Sequence, residues 1–305
     1  MSGRDWSGLA RRLPGRVRLA EPMARHCSFK IGGPAEAWAQ PHDELELRDC
    51  LAEARALGAP VTVLASGTNV LVRDGGIPGL VLSLDGGFNR FTLDDDLASA
   101  GAGFSLALLA RKTALAGLGG LEWAVGIPGS VGGGLVMNAG AHGGELKDVV
   151  RRVRVLADGQ AQDWTPEQCG FSYRHSAFKG SADGSLIVLG AEFQLEPEPV
   201  EALKGRMEAA LAKRQASQPL ELPNAGSVFK NPEGQAAGRL IEQAGLKGLR
   251  HGGAQISEKH ANFVVNTGGA TAADVLALMG QARRAVKDAF GVELKDEVLV
   301  LGADA

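Results

Sequence analysis

The 305-residue sequence has few cysteines, little net charge and no long apolar run, and each shortage excludes a class of protein. Its cysteines, Cys27, Cys50 and Cys169, form no C-x-x-C pair, so neither a disulfide framework nor a thiolate zinc site is expected. A net charge of -3 argues against nucleic-acid binding through a basic face. No signal peptide or membrane span is recognisable. These absences predict a cytoplasmic protein with no membrane insertion, nucleic-acid partner or metal.

Motifs of common nucleotide and hydrolase sites are also missing. No Lys-Ser or Lys-Thr pair follows a glycine-rich loop, as a P-loop would require. The dinucleotide fingerprint needs a helix directly after its glycines, and Pro128 and the stretch MNAGAHGG (137–144) are expected to break any helix there. No serine lies in a G-x-S-x-G motif, and no two histidines have the i, i+4 spacing of a metal site.

Glycine is what the sequence has in excess, with 43 residues, about twice ordinary usage. Eight of them lie between Gly126 and Glu145, in the run GIPGSVGGGLVMNAGAHGGE. Such a run is costly in backbone entropy and indicates close approach of the main chain to something bulky and rigid. Bare N–H groups can also face phosphate oxygens. A mobile loop is the alternative, but the apolar residues within the run favour a buried cofactor cradle.

Periodicity and turn signals predict mixed helices and strands. The predicted helices are 43–57, 105–116, 200–216, 236–244 and 271–290. The predicted strands are 61–65, 80–84, 98–103, 149–156, 160–164, 186–195, 262–267 and 292–301. Asp158-Gly159 is a hairpin turn, and Leu203, Met207 and Leu211 share one helix face. The first 25 residues are expected to form an irregular arm or a short helix.

Three side chains are candidates for chemistry. Arg174 could hold a carboxylate through its planar guanidinium, or be an ordinary surface arginine. Ser227 follows a glycine turn with no histidine nearby, so it is a candidate proton donor or a turn serine without a role. Strand alternation would place Glu297 on the face of Leu299 and Leu301, where a neutral acid is favoured; an edge-strand charge is the alternative.

Seven motifs, taken in order, resemble one family over nearly the whole chain. They are SFKIGGPA (28–35), SGTNVLVRDGG (66–76), GIPGSVGG (126–133), MNAGAHGGE (137–145), YRHSAF (173–178), NAGSVFKNP (224–232) and EV (297–298). Together they are similar to the UDP-N-acetylenolpyruvoylglucosamine reductases, also called UDP-N-acetylmuramate dehydrogenases. The short gap from Phe178 to Asn224 resembles the subgroup without a long tyrosine-bearing loop. Ala65 departs from the glycine expected before SGTN.

The resemblance implies an α+β fold, with a two-part FAD-binding domain of the vanillyl-alcohol-oxidase type and a C-terminal α+β substrate domain. The expected divisions are 1–80, 81–197 and 198–305. It implies that NADPH reduces bound FAD, which then reduces the enolpyruvyl group of UDP-N-acetylenolpyruvoylglucosamine during peptidoglycan precursor synthesis. FAD is then the cofactor, NADPH and the UDP-sugar are the partners, and we expect a monomer.

The resemblance also implies a role for each site residue. Arg174 would polarise the enolpyruvyl carboxylate, Ser227 would protonate the carbanion, and Glu297 would assist at the same centre. Contacts with the nucleotide-sugar are implied for Tyr173, Lys230, Asn231 and His260. Contacts with FAD are implied for Ser66, Gly67, Thr68, Asn69, Val70, Leu71, Gly126, Ile127, Pro128, Gly129, Ser130, Gly132, Gly133, Asn138, Ala139, Gly140 and Ala141.

Two other functions stay open at the level of sequence. An FAD-dependent oxidase of the same wider fold would use oxygen and another substrate, and would form peroxide. A non-catalytic UDP-sugar-binding protein would keep the scaffold and would be purified without flavin colour. The presence of Arg174, Ser227 and Glu297 argues against the second of these.

Overall fold

The computed structural model describes residues 3–180 and 184–305. The chain forms two compact units, each assembled from three separate segments. The first unit consists of Met1–Leu19, Glu36–Ser66 and Gly79–Lys213. The second consists of Ala20–Ala35, Gly67–Pro78 and Arg214–Ala305. Both units contain helices and sheets, as the predicted α+β class requires. The three-part division at 1–80, 81–197 and 198–305 stays a prediction.

Two larger sheets organise the first unit. A four-stranded sheet, most of which belongs to this unit, has the order Val17–Pro22, Pro34–Ala39, Ile77–Ser83 and Val61–Leu64, with the last two strands parallel. The second sheet is antiparallel, in the order Gln160–Trp164, Val150–Ala157, Leu186–Gln194, Leu97–Gly101 and Phe91–Asp94. Two short pairs join Gly140–Ala141 with Gly144–Glu145, and Leu118–Gly119 with Glu196–Pro197.

Helices of the first unit begin where side chains can cap them. Asp43 accepts a hydrogen bond from the Glu46 N–H at the start of Glu44–Ala56, and Ser105 caps Leu106–Leu115 in the same way. The other helices are Ser7–Arg12, Val131–Val136, Pro166–Cys169 and most of Val200–Ser217, with 3₁₀ turns at Glu122–Gly126 and Leu146–Asp148. One apolar core, which includes Trp6, Leu82, Leu109 and Phe193, lies within this unit.

The second unit is built around one long amphipathic helix. Ala272–Phe290 starts at a capping box between Thr271 and Asp274, as predicted, and buries a face that includes Val275 and Met279. The helix Ala237–Gln243 and the 3₁₀ turn Met23–Arg25 also belong here. An antiparallel sheet has the order Arg250–His251, Ala254–Ile256 and Val264–Asn266, and Leu299–Leu301 pairs in parallel with Val70–Val72.

The short helix that was one expectation for the N-terminal region is present as Ser7–Arg12, but the strand after it, Val17–Pro22, is not among the predicted strands. Two further features differ from the prediction. The last strand covers only Leu299–Leu301; residues 292–298 form no ladder, and Asp296 makes an isolated bridge with Phe229. Leu211 is 42% exposed although Leu203 and Met207 on the same helix are buried, so the apolar face ends after two turns.

The remaining predicted helices and strands agree with the structure to within a few residues. In the hairpin Val150–Ala157 with Gln160–Trp164, Asp158 and Gly159 both have positive φ, as a two-residue turn of this kind needs. Within the described parts of the chain, no helix combines the length and apolar character needed to span a membrane.

Candidate active site

A short helix interrupts the glycine run, contrary to the prediction that nothing helical follows Pro128. Val131–Val136 is helical, and the Ser130 hydroxyl caps it by accepting a hydrogen bond from the Gly133 N–H at 3.3 Å. Pro128 lies before the cap, so it removes no hydrogen bond from the helix. The Ser130 cap therefore supports a helix that Pro128 does not prevent.

Several glycines of the run are required by the protein's own packing. A Cβ on Gly132 would lie 2.9 Å from the Ala102 Cβ, and one on Gly134 would lie 2.9 Å from a methyl of Leu146. A Cβ on Gly144 would come within 2.5 Å of the Trp123 ring. The bulky, rigid neighbours inferred from the sequence therefore include elements of the first unit itself.

The same run also has main-chain donors suited to a phosphate-bearing cofactor. Ser130 is buried, with 2% exposure, yet the N–H groups of Gly129 and Ser130 donate to no acceptor within residues 3–180 and 184–305. Buried N–H groups in proteins are nearly always paired. Adjacent N–H donors of this kind bind anionic oxygens, so the residues present fit a cofactor with phosphate groups.

Arg174 lies in the first unit and is held by main-chain carbonyls of the glycine run. Its guanidinium donates to the carbonyl oxygen of Gly140 at 2.7 Å and to that of Asn138 at 3.4 Å. The Arg174 backbone has φ of 54°, a left-handed value that is uncommon outside glycine and costs free energy. The Tyr173 ring lies 5.1 Å from the guanidinium carbon, within range of a cation–π contact.

Asn138 connects the glycine run to the turn that carries Arg174. Its side chain is fully buried, and its amide donates to Glu145 Oε2 and to the Ser172 carbonyl, both at 3.1 Å. Its Oδ1 accepts the Lys147 N–H at 3.1 Å. All three bonds are made to other residues of the protein, so the Asn138 side chain has a structural role whether or not its backbone contacts FAD.

Glu145 supplies negative charge beside this network. Its hydrogen bond from Lys147 lowers its pKa most, and the Asn138 amide and the charge of Arg174 lower it further. The carboxylate therefore stays ionised at neutral pH, close to the arginine. The glycine run thus carries bare main-chain donors at Gly129 and Ser130, and a carboxylate at Glu145 that lies close to the Arg174 cation.

The SGTN loop belongs mainly to the second unit and is fixed by residues 26–28. Gly67 has φ of 61°, and a Cβ there would lie 2.0 Å from the His26 carbonyl oxygen, so only glycine fits. The Ser28 N–H donates to the Gly67 carbonyl at 3.0 Å. The Ser28 hydroxyl donates to the Asn224 carbonyl at 2.6 Å and so ties this loop to the turn before Ser227.

Ser227 and Glu297 lie on adjacent backbone segments of the second unit. The Glu297 N–H donates to the Val228 carbonyl at 2.9 Å. The Asn69 side-chain amide donates to the Glu297 carbonyl at 3.2 Å. Three segments far apart in sequence are therefore joined, and they include two of the predicted catalytic residues and one predicted FAD contact.

Glu297 does not lie in a strand, so the alternation that predicted its environment is wrong. The strand begins two residues later, at Leu299, and residues before it follow an irregular path. Glu297 is half-buried, and Val298 beside it is fully buried in the apolar core of this unit. A partly apolar environment is present, but packing and not strand periodicity produces it.

The predicted nucleotide-sugar contacts are divided between the units. Tyr173 is 47% exposed in the first unit. Lys230, Asn231 and His260 lie in the second. The Asn231 side chain accepts the Ala237 N–H at 3.1 Å and so caps a helix start. The His260 Nδ1 accepts the Asn262 N–H at 3.2 Å, and burial lowers the pKa of His260, which favours the neutral ring.

Family models match both units. An FAD binding domain matches residues 35–164. The model described as UDP-N-acetylenolpyruvoylglucosamine reductase, C-terminal domain, matches residues 218–301. A UDP-N-acetylenolpyruvoylglucosamine reductase of Symbiobacterium thermophilum is 51% identical over 292 residues, which cover 95% of this chain and 94% of the relative. The chain belongs to the UDP-N-acetylenolpyruvoylglucosamine reductase family. The resemblance drawn from seven motifs is confirmed.

Other members of the reductase family support the assignment. A reductase of Heliobacterium modesticaldum is 48% identical, with coverage of 96% of this chain and 93% of the relative. The crystal structure of the reductase from Thermus caldophilus matches with a TM-score of 0.79 and 40% identity, covering 93% of this chain and 98% of that one. The predicted fold class, with an FAD-binding domain followed by a substrate domain, is confirmed by these matches. FAD is the cofactor.

The structure explains how this reductase accommodates Ala65 before SGTN. Ala65 is not among the residues with positive φ, so its backbone conformation does not require glycine. A Cβ on Gly133 would lie 3.3 Å from the Ala65 Cβ, tighter than ordinary contact. An alanine at 65 is thus compatible with the turn as long as glycine is kept at 133.

Some residues that hold the site together were not found by sequence reasoning. Asn262 is 3% exposed and bonds to the segment that carries Ser227. Glu145 and Ser28 lie inside quoted motifs but were given no role. One sequence signal for Asn262 exists: it is a polar residue at the start of the apolar run NFVVN (262–266). An amide buried with such a run must form hydrogen bonds to other parts of the chain.

Proposed function

We propose that this chain reduces the enolpyruvyl group of UDP-N-acetylenolpyruvoylglucosamine to give UDP-N-acetylmuramate for peptidoglycan synthesis. NADPH is the electron donor and bound FAD is the carrier. Family membership supports this reaction, and the arrangement of Asn69, Ser227 and Glu297 in the second unit is the observation that carries it. A carboxyl group and a hydroxyl group on neighbouring segments suit the delivery of a proton.

FAD supplies the hydride chemistry, and the protein supplies binding and placement. The segments that would hold it are 66–71 and 126–141. In the second of these, the N–H groups of Gly129 and Ser130 suit phosphate oxygens. In the first, Gly67 permits a turn that a side chain would prevent.

Arg174 acts on the substrate carboxylate. Hydride addition to the enolpyruvyl double bond leaves negative charge that is delocalised into this carboxylate. A cation held in place before the reaction stabilises that charge without reorganising. Two carbonyl acceptors already fix the orientation of the guanidinium, which supports this role.

Ser227 gives the proton that completes the reduction, and Glu297 assists it. A serine hydroxyl is a weak acid, so it needs a partner that stabilises the alkoxide or returns the proton. Glu297 is half-buried next to Val298 of the apolar core, and its backbone lies beside the segment that carries Ser227. The hydrogen bond between Glu297 and Val228 keeps the two residues on neighbouring backbone positions.

The remaining assignments follow from the substrate. Tyr173, Lys230, Asn231 and His260 are proposed to contact the nucleotide-sugar, as cationic, amide and ring donors suited to a diphosphate and a sugar. A nucleotide-sugar and NADPH are cytoplasmic metabolites, so we place the enzyme in the cytoplasm. We propose that it acts as a monomer.

A spectroscopic titration tests the proposed reaction. Purified protein should be yellow, and anaerobic NADPH should bleach the flavin absorbance. Adding UDP-N-acetylenolpyruvoylglucosamine should restore the absorbance and yield one UDP-N-acetylmuramate per flavin. Re-oxidation only by oxygen, with peroxide formed, would indicate an oxidase, and colourless protein that still binds the UDP-sugar would indicate a binding protein.

A further inference from the structure

The segment that carries Ser227 has little regular structure of its own. Residues 224–231 belong to no helix or ladder, and Ser227 makes only an isolated bridge with Phe263. The position of the Ser227 hydroxyl therefore depends on the hydrogen bonds that neighbouring segments make to the backbone next to it. On one side the partner is the Glu297 segment, through Val228.

On the other side, next to the Ser227–Phe263 bridge, Asn262 makes three hydrogen bonds to Val228 and Phe229. The Val228 N–H donates to the Asn262 carbonyl at 2.8 Å. The Asn262 side chain accepts the Phe229 N–H at 3.0 Å and donates to the Phe229 carbonyl at 2.8 Å. The amide thus bonds both polar groups of one residue, as a neighbouring strand would.

The environment makes these bonds hard to replace. Asn262 is 3% exposed and Phe229 is 1% exposed, so water has little access to substitute for a lost partner. The Asn262 N–H in turn donates to the His260 ring, and that ring packs against Phe263 at 4.9 Å between centroids. Asn262 is thus itself held by a buried contact, and it can keep the backbone of Phe229 in one position.

We infer that Asn262 is a positioning residue for Ser227. Its hydrogen bonds to Val228 and Phe229 hold the backbone next to Ser227 in place beside the Glu297 segment. It touches neither substrate nor cofactor in this role. The inference rests on the proposed function of Ser227 as proton donor, and it predicts that the proton-delivering half-reaction alone depends on the Asn262 amide.

Asn262→Asp is the most discriminating variant, because its effect depends on pH. A protonated aspartic acid can donate to the Phe229 carbonyl as the amide does, whereas the carboxylate places negative charge against that carbonyl oxygen. Burial favours the protonated form and moves the titration toward neutral pH, whereas Arg283, whose guanidinium carbon lies 5.5 Å from the centre of the Phe229 ring, acts in the opposite direction. Activity of the variant relative to the parent should therefore rise as pH falls.

The measurement is stopped-flow absorbance of the holoenzyme for the two half-reactions, from pH 5 to 8. Flavin reduction by NADPH should stay within about 2-fold of the parent, while re-oxidation by the UDP-sugar should slow about 10- to 100-fold at pH 8 and recover at pH 5. Equal slowing of both half-reactions, or no pH-dependent recovery, would overturn the inference.

Asn266→Asp is the matched control. Asn266 is also a buried amide of the second unit; its side chain donates to the Phe29 carbonyl and accepts from Gly268 and Ala270. Only its backbone N–H approaches the serine segment, by donating to the Pro223 carbonyl at 2.9 Å, and the substitution leaves that group in place. The Asn266→Asp variant should have a changed melting temperature, and any change in rate should be similar in the two half-reactions. If Asn262→Asp does not fold, Asn262→Ser, which adds no charge, should show the same selective loss without recovery at low pH; absence of selectivity there would also reject the role.

Ser227→Ala measured in parallel separates the two hypotheses. Selective slowing in Ser227→Ala but not in Asn262→Asp would reject the positioning role and keep the proposed function. No selective slowing in Ser227→Ala would reject the role of the serine and the inference with it. In the double variant Asn262→Asp, Ser227→Ala, the aspartate should add less than about 2-fold, because its effect acts through the serine.

Discussion

The glycine run 126–145, whose carbonyl groups hold Arg174, and the segment 224–231, which carries Ser227, are fixed in different ways. The first is fixed by the absence of side chains: Gly132 and Gly144 let elements of the first unit approach closely. The second is fixed by the buried amide of Asn262, which bonds to its backbone. Substitutions that add side-chain atoms should therefore disrupt the glycine run. Substitutions that remove hydrogen-bond partners should disrupt the segment with Ser227.

The largest effect is expected for Ser227→Ala. Removing the proton donor should slow re-oxidation of the flavin by the UDP-sugar by roughly 10²–10⁴-fold, the range for a lost general acid. Reduction of the flavin by NADPH should be nearly unchanged. Stopped-flow traces of both half-reactions check this. Parallel collapse of both would show that the hydroxyl supports the fold or the binding of both partners.

Arg174→Lys should be the next most severe change. Lysine keeps the charge but cannot reach the Asn138 and Gly140 carbonyls with a planar fork, so the cation is no longer oriented. We expect the turnover number to fall roughly 10²-fold, the usual loss when an oriented donor is removed. Arg151→Lys, at an exposed arginine of the same unit, is the control and should match the parent. Equal activity in the two variants would exclude orientation as the function of Arg174.

Gly132→Ala tests the packing of the glycine run. The new methyl would lie 2.9 Å from the Ala102 Cβ and 3.1 Å from its carbonyl oxygen, so the unfolding free energy should fall by about 1–3 kcal/mol. FAD should also be lost more easily on dilution. Gly205→Ala is the control: it lies in a helix with open space around it and should stabilise by about 0.5–1 kcal/mol. Urea titrations should show a lower unfolding free energy for Gly132→Ala and a higher one for Gly205→Ala.

The smallest effect concerns acid stability in the second unit. Burial lowers the pKa of His260, so the unfolded chain binds a proton more readily than the folded one. The resulting stabilisation is fully present above the unfolded pKa of about 6.5 and is lost as pH falls through the lower folded value. Thermal melts from pH 5 to 7.5 should show this slope in the parent. His260→Gln should flatten it, whereas His42→Gln, at an exposed histidine, should not.

Sequence patterns predicted the fold wherever a local signal agreed with packing. Asp43, Ser105 and Thr271 marked helix starts correctly, because capping depends on residues a few positions apart. The strand expected over 292–301 failed because alternation cannot show whether a segment has a partner along its length. The helix at Val131 is not predicted because three of its six residues are glycines, which disfavour a helix, although Ser130 caps it.

The site was only partly within reach of sequence reasoning. Motifs singled out Arg174, Ser227 and Glu297, and the structure places the last two on bonded segments. What holds them was not visible, because Asn262 and Ser28 act through bonds to residues far away in the chain. A bond of this kind has no local signature. Only the requirement that a buried amide be paired hints at it.

The contact between Asn69 and Glu297 joins residues 228 positions apart. During synthesis the ribosome must add most of the protein before Glu297 emerges and the strand Val70–Val72 meets Leu299–Leu301. Closing so long a loop is slow, and an unpaired strand is a target for aggregation while it waits. The bond between Asn69 and Glu297 can therefore form only after the 228 residues that follow Asn69, up to and including Glu297, have been synthesised.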